Sequence, residues 1–221
     1  MTQEIKIEKK ASEVIQPENT EEARQAIRTK QDLSGANLKG MVLDNLNAVG
    51  AVLRKTDLTG ANVSHSLLVT PNLYRANLHG AAINNTLFIG GDFVKTICQG
   101  ANLSDTLFLG VDAENASFEN ASLRDSAFVR ANLENADFTK SNLSDTRFAS
   151  TNVTGADFTD ANLSGARAYN VDWETAKVPP VFLPDPLVQI PRWAWSVLVG
   201  SVLGLTAVLI YGINRKRKKT S

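Results

Sequence analysis

Residues 101 to 148 read ANLSDTLFLGVDAENASFENASLRDSAFVRANLENADFTKSNLSDTRF, and every fifth one is apolar: Leu103, Phe108, Ala113, Phe118, Leu123, Phe128, Leu133, Phe138, Leu143 and Phe148. A period of five matches neither the 3.6 of a helix nor the 2 of a strand. It describes a solenoid in which each five-residue unit sends one central side chain inward. Outward from this stretch the register holds without a slip from Leu33 to Trp173, twenty-nine consecutive positions. Two residues before each centre the occupant is small, as at Ala36, Ala61, Ala76, Ala101, Ala121, Ala136, Ala156 and Ala161. Where the centre shrinks the neighbour grows, as in Leu46 with Ala48 and Val111 with Ala113, while Phe93 is matched by Gly91. Such compensation is expected if both positions share one close-packed interior.

A longer period overlies the short one. From Leu103 the centres alternate between Leu-like residues and Phe, and the residue two before each Phe alternates between hydroxyl and Ala: Thr106, Ala116, Ser126, Ala136, Thr146, Ala156. The true repeat is therefore twenty residues, which stacks Phe on Phe in two columns on opposite sides. Twenty-nine units taken four at a time make about seven coils, a rod about 34 Å long at the spacing of paired strands.

The units Ala36-Asn37-Leu38-Lys39-Gly40, Ala101-Asn102-Leu103-Ser104-Asp105 and Ala161-Asn162-Leu163-Ser164-Gly165 follow a pattern A(N/D)LxG. In this the chain resembles the pentapeptide-repeat family across residues 31 to 175. The resemblance implies an all-β solenoid, a right-handed quadrilateral parallel β-helix with four pentapeptides per coil.

Ahead of the repeats, residues 1–30 form a charged arm in which Asn19 and Glu22 have capping-box spacing before Ala23, Ala26 and Ile27. A short helix is expected there, lidding the open end of the first coil. The single cysteine, Cys98, occupies a centre and reads as a buried small hydrophobe. His65 and His79 face outward on different sides without a second ligand at metal spacing. The abundant Asp, Ser and Thr residues serve turns and ladders rather than gathering around a base, so no enzyme activity, cofactor or metal is expected. The pattern also creates Asn-x-Ser/Thr sequons, for example at Asn62 and Asn102, whose glycosylation would crowd the coils and argues against a eukaryotic secretory lumen.

Residues 193–213, WAWSVLVGSVLGLTAVLIYGI, carry no charge. At 1.5 Å per residue they span about 32 Å, the thickness of a bilayer core, and read as a C-terminal transmembrane α-helix. Trp193, Trp195 and Tyr211 lie where aromatic rings meet lipid headgroups, and the basic tail 214–221 begins with Asn214, then Arg215, Lys216 and Arg217. Two rules compete over orientation. Basic flanking residues favour a cytoplasmic tail and an external rod, whereas residues 1–20 hold no apolar signal core. The expectation is a single-pass, tail-anchored protein with a cytoplasmic rod. Family-level analogy suggests a cyanobacterial thylakoid or plasma membrane. Residues 176–192, with prolines at 179, 180, 184, 186 and 191, form a stiff linker that spaces the rod from lipid, caps its last coil or offers a proline-rich ligand.

Sorting the residues beside each centre by side, three sides are polar. The fourth is flanked by Val49, Leu67 and Val69, Leu87 and Ile89, Leu107 and Leu109, and Val129, before Arg147 breaks the series. Two outward apolar columns of that length mark a binding surface. The candidates to cover it are a partner protein or second copy, the chain's own Ile5-Lys6-Ile7 or Val181-Phe182-Leu183, and lipid. Residues 101–175 carry twelve acids against five bases, a net of minus seven, which should hold the anchor-proximal half off an anionic membrane. The leading function is a non-enzymatic scaffold presenting the apolar side of a rigid rod. The alternative, implied by the family, is mimicry of B-DNA to inhibit a topoisomerase; binding of nucleic acid itself is not expected.

Overall fold

A computed structural model describes residues 14–187. The chain winds as an all-β parallel solenoid of about seven coils, preceded by one short helix. Its longest strands form a single parallel sheet in chain order: β1 (Asn47–Val49), β2 (Leu67–Val69), β3 (Leu87–Ile89), β4 (Leu107–Leu109), β5 (Ala127–Val129), β6 (Arg147–Ala149), β7 (Arg167–Tyr169) and β8 (Asp185–Pro186). Register advances by twenty from β1 to β7, as in Leu87 opposite Leu107 and Phe88 opposite Phe108. Isolated parallel bridges such as Asn37 to Asp57 and Asn102 to Ser122 mark the other three sides with the same offset.

Every fifth residue from Lys30 to Asn170 turns a corner with φ between +48° and +73°, and nineteen of these are not glycine. That backbone is costly for ordinary L-residues; Asn and Asp, which tolerate it best, take ten of the nineteen. On the polar sides the residue before the centre helps to make the turn. Its side-chain oxygen accepts the amide two residues on, as from Ser34 to Asp32 at 2.9 Å and from Ser144 to Asn142 at 3.1 Å. Each of these three-residue loops replaces a lost ladder bond with a local one.

The core is a stack of centres and of the small residues two before them. Phe88, Phe108, Phe128 and Phe148 stack with centroids 4.7 to 5.6 Å apart, and Phe118, Phe138 and Phe158 with centroids 4.9 and 5.0 Å apart. Edge-to-face contacts such as Phe128 to Phe138 at 5.9 Å join the two columns across the rod. The earlier coils use Leu, Ile and Val, which reach less far, and a cavity of about 20 Å³ lined by apolar side chains remains between Ile27 and Phe88. Buried hydroxyls are satisfied by the coil below: Thr56, Thr96, Thr106 and Thr146 each donate to a carbonyl twenty-three residues back, at 2.8 to 3.0 Å. Ser126 occupies an equivalent place but its hydroxyl has no partner.

Both ends are covered. Helix α1 (Thr20–Arg28) begins where Asn19 accepts the Glu22 amide, although the Glu22 carboxylate reaches the amide of Glu18 and not that of Asn19. Ala23, Ala26 and Ile27 close over the first coil, and Arg24 clamps the Asp44 carbonyl at 2.6 and 2.8 Å. At the far end Trp173 lies across both Phe columns, 5.4 Å from Phe148 and from Phe158. The proline-rich stretch then follows the rod for part of another turn, with its register broken: Val178 bridges Asp157, and β8 pairs Asp185 with Arg167. The described part of this stretch, residues 176–187, thus lies along the last coil. Its prolines have no amide to offer a further strand, so pairing stops there.

Candidate interaction wall

The apolar side is the sheet β1 to β7 itself. Its centres from Phe88 to Phe148 form one Phe column, so a stack of rings backs the wall. Here three residues per coil stay extended, and Leu67, Leu87, Leu107 and Ala127 carry no side-chain acceptor with which to form an Asx turn. Leu67, Val69, Leu87, Ile89, Leu107, Leu109 and Val129 all stand outward in two columns, and all are half-buried; Val49, at the first strand, is exposed. They are less open than the alternation alone implies, since each lies between parallel neighbours twenty residues before and after it. Arg147 ends one column, and Ala149 is buried at the end of the other.

The linker does not cover this wall. Val181, Phe182 and Leu183 are 84%, 83% and 62% exposed, and the cleft they line is closed on its other side by Asp160 to Ala166 of the last coil. That possibility is corrected by the pairing of Val178 and Asp185, which holds the segment at the end of the rod. Ile5-Lys6-Ile7 lies outside the described residues. So do the proposed membrane-contacting residues Trp193, Trp195, Tyr211, Arg215, Lys216 and Arg217 and the whole span 193–213. Among the described residues no helix is long and apolar enough to cross a membrane.

Charge is arranged by corner. Asp105 and Asp145 stand exposed where the chain enters the wall, while Asp125 between them pairs with Arg124 at 3.0 Å. On another edge Lys55, Arg75 and Lys95 occupy successive corners beside Arg54, and Tyr74 stacks under the guanidinium groups of Arg54 and Arg75 at 5.3 and 5.2 Å. Corner positions taken every twenty residues are the signal of this basic edge in the sequence. Asp32, Asp57 and Asp157 have carboxyls held below the usual range, chiefly by the hydroxyls of Ser34, Thr59 and Thr159 donating to them. Burial pushes the Cys98 thiol up to about 12, which leaves it a packing residue at neutral pH. Among the described residues no three His, Cys, Asp or Glu side chains are grouped as a metal would need.

A family model described as a pentapeptide repeat region matches residues 81–158 and 114–179, and one described as eight copies of pentapeptide repeats matches residues 32–68. No curated protein matches the chain. Among solved structures it is similar to trypsin-treated QnrB1, a plasmid-mediated fluoroquinolone resistance protein, at 19% identity over 77% of this chain and 95% of that one, with a TM-score of 0.45. It is also similar to HetL, a pentapeptide repeat protein involved in heterocyst differentiation regulation from the cyanobacterium Nostoc, at 19% identity, 70% and 90% coverage and a TM-score of 0.30. A third is a pentapeptide repeat protein from the thylakoid lumen of Arabidopsis thaliana, at 23% identity, 52% and 70% coverage and a TM-score of 0.17. With its repeats matched through more than half of its length and wound at twenty residues per coil, this chain belongs to the pentapeptide-repeat family.

Proposed function

We propose that this protein is a membrane-anchored, non-enzymatic scaffold whose rigid rod presents the β1 to β7 wall to a partner protein. The observation that carries this reading is the contrast between sides. Three are faced mainly with Asn, Asp, Ser and Thr in local turns, and one keeps Leu67, Leu87 and Leu107 in one column beside Val69, Ile89, Leu109 and Val129 in the other. Soluble surfaces seldom keep a contiguous apolar strip of this kind without a use for it. A wall backed by stacked rings is ordered before docking, so little conformational entropy is lost on binding. The uncharged residues 193–213 supply the anchor.

Mimicry of duplex DNA is the weaker reading. It draws on the acids of residues 101–175, but it needs negative charge along the rod, and Arg54, Lys55, Arg75 and Lys95 interrupt it.

The test is Leu87→Lys with Leu107→Lys in the full chain, read by crosslinking from the wall and by thermal unfolding. Loss of the crosslinked complex with unchanged unfolding is expected. A complex that survives both lysines overturns the wall as the docking surface, and supercoiling inhibition by gyrase assay would favour mimicry. Protease protection of residues 31–175 in sealed vesicles reads the orientation.

A further inference from the structure

The most exposed apolar side chains among the described residues are not on the wall. They are Val181 and Phe182, followed by Leu183. This is not a loose strand end. The amide of Phe158 donates to the Val178 carbonyl at 2.9 Å and the amide of Asp185 donates to the Ala166 carbonyl at 3.1 Å, so the loop is pinned to the last coil on both sides. Between those points Pro179, Pro180 and Pro184 restrict the backbone further. A pinned loop that holds a Phe, a Val and a Leu in water needs an apolar surface to meet.

From these observations we infer that Val181, Phe182 and Leu183 form a wedge that seats the end of the rod in the headgroup region of the bilayer. The inference rests on the membrane anchor proposed above. Only residues 188–192 separate Leu187 from the uncharged span beginning at Trp193. Six extended steps cover at most about 20 Å, so the chain cannot carry the loop far from lipid. Phe and Leu beside a polar rim suit the boundary between headgroups and acyl chains. The end of the rod carries exposed Asp160, Asp172, Glu174 and Asp185 against exposed Arg167 and Lys177, a net of minus two, so it opposes an anionic surface and admits a zwitterionic one. The wedge adds a second contact beside the anchor and so sets the tilt of the rod.

The test is the full chain with Val181→Cys, labelled with an environment-sensitive fluorophore in phosphatidylcholine vesicles. Cys98 is fully buried and remains unlabelled. Blue-shifted emission is expected, quenched more by shallow than by deep spin-labelled lipid, weakened when phosphatidylserine is mixed in, and lost with Phe182→Asp and Leu183→Asp. Those two substitutions should leave vesicle binding and the circular dichroism unchanged. Two results overturn the wedge while the anchor stands: vesicle-bound protein whose label stays in water, or a label shielded from water yet unquenched by lipid, as a protein partner would produce. Protein that does not float with the vesicles at all overturns the anchor first and the wedge with it.

Discussion

Replacing Gly91 with alanine should destabilise the rod by about 2–4 kcal/mol. Gly91 occupies the small position two before Phe93, which on the same side holds Ala51 and Ala131 in other coils, yet its φ is +116°. A Cβ there would lie 2.8 Å from Cδ of Pro71, 3.0 Å from its Cγ and 3.0 Å from its carbonyl oxygen. None of these atoms belongs to a side chain that can swing away, and the carbonyl is held by the Asp92 amide at 2.9 Å. Backbone in this region costs an L-residue about 1–3 kcal/mol, and overpacking against a rigid neighbour adds about 1–3 kcal/mol. Against these stands a gain of about 0.4–1 kcal/mol from the stiffer unfolded chain. The result is a large fraction of the 5–15 kcal/mol by which a typical domain is stable.

Urea unfolding of the full chain in detergent, followed by circular dichroism, measures the loss. Pro71→Ala separates the two causes, because it removes the ring but leaves the carbonyl contact and the dihedral. The double substitution should recover about half of the cost. Ala131, in the same column, has no such backbone, so Ala131→Gly should cost about 0.5–1 kcal/mol. A Gly91→Ala protein within about 0.5 kcal/mol of the parent, or a cost unchanged by Pro71→Ala, would refute the steric reasoning.

Two further outcomes follow from the core and the turns. Ser126→Ala should be neutral or stabilise by up to about 1 kcal/mol, because it deletes a buried hydroxyl without a partner, whereas Thr106→Ala should cost about 1 kcal/mol by deleting one bonded to Ile83; paired thermal unfolding compares them. Asp32, Asp57 and Asp157 have folded pKa values below their unfolded 3.8, so the stability they add is present above that value and is lost as pH falls through the lower folded values. Asp57→Asn keeps the acceptor for the Thr59 amide and should flatten part of that acid slope below about pH 4 in a pH series of unfolding midpoints.

The sequence by itself determined the period of twenty, the Phe columns, the buried Cys98, the capping helix and the side on which the apolar columns would gather. A solenoid makes this possible, since each coil touches only its neighbours and the contacts are written at a fixed offset in the chain. Where that offset changes, local reading stops working. At Trp173 the Asp157 bridge moves to Val178 and the Arg167 pair to Asp185, so only the tertiary structure decided that the prolines close the last coil and leave Val181 to Leu183 facing water. Gly91 teaches the same lesson on a smaller scale. Volume compensation with Phe93 accounts for a small residue there, but the need for glycine comes from the Pro71 ring one coil below. The half-burial of the wall was also hidden, because shielding depends on how side chains twenty residues apart lean on one another. A repeat pattern specifies which way a side chain points; how much of it remains in water depends on the neighbours that the fold brings against it.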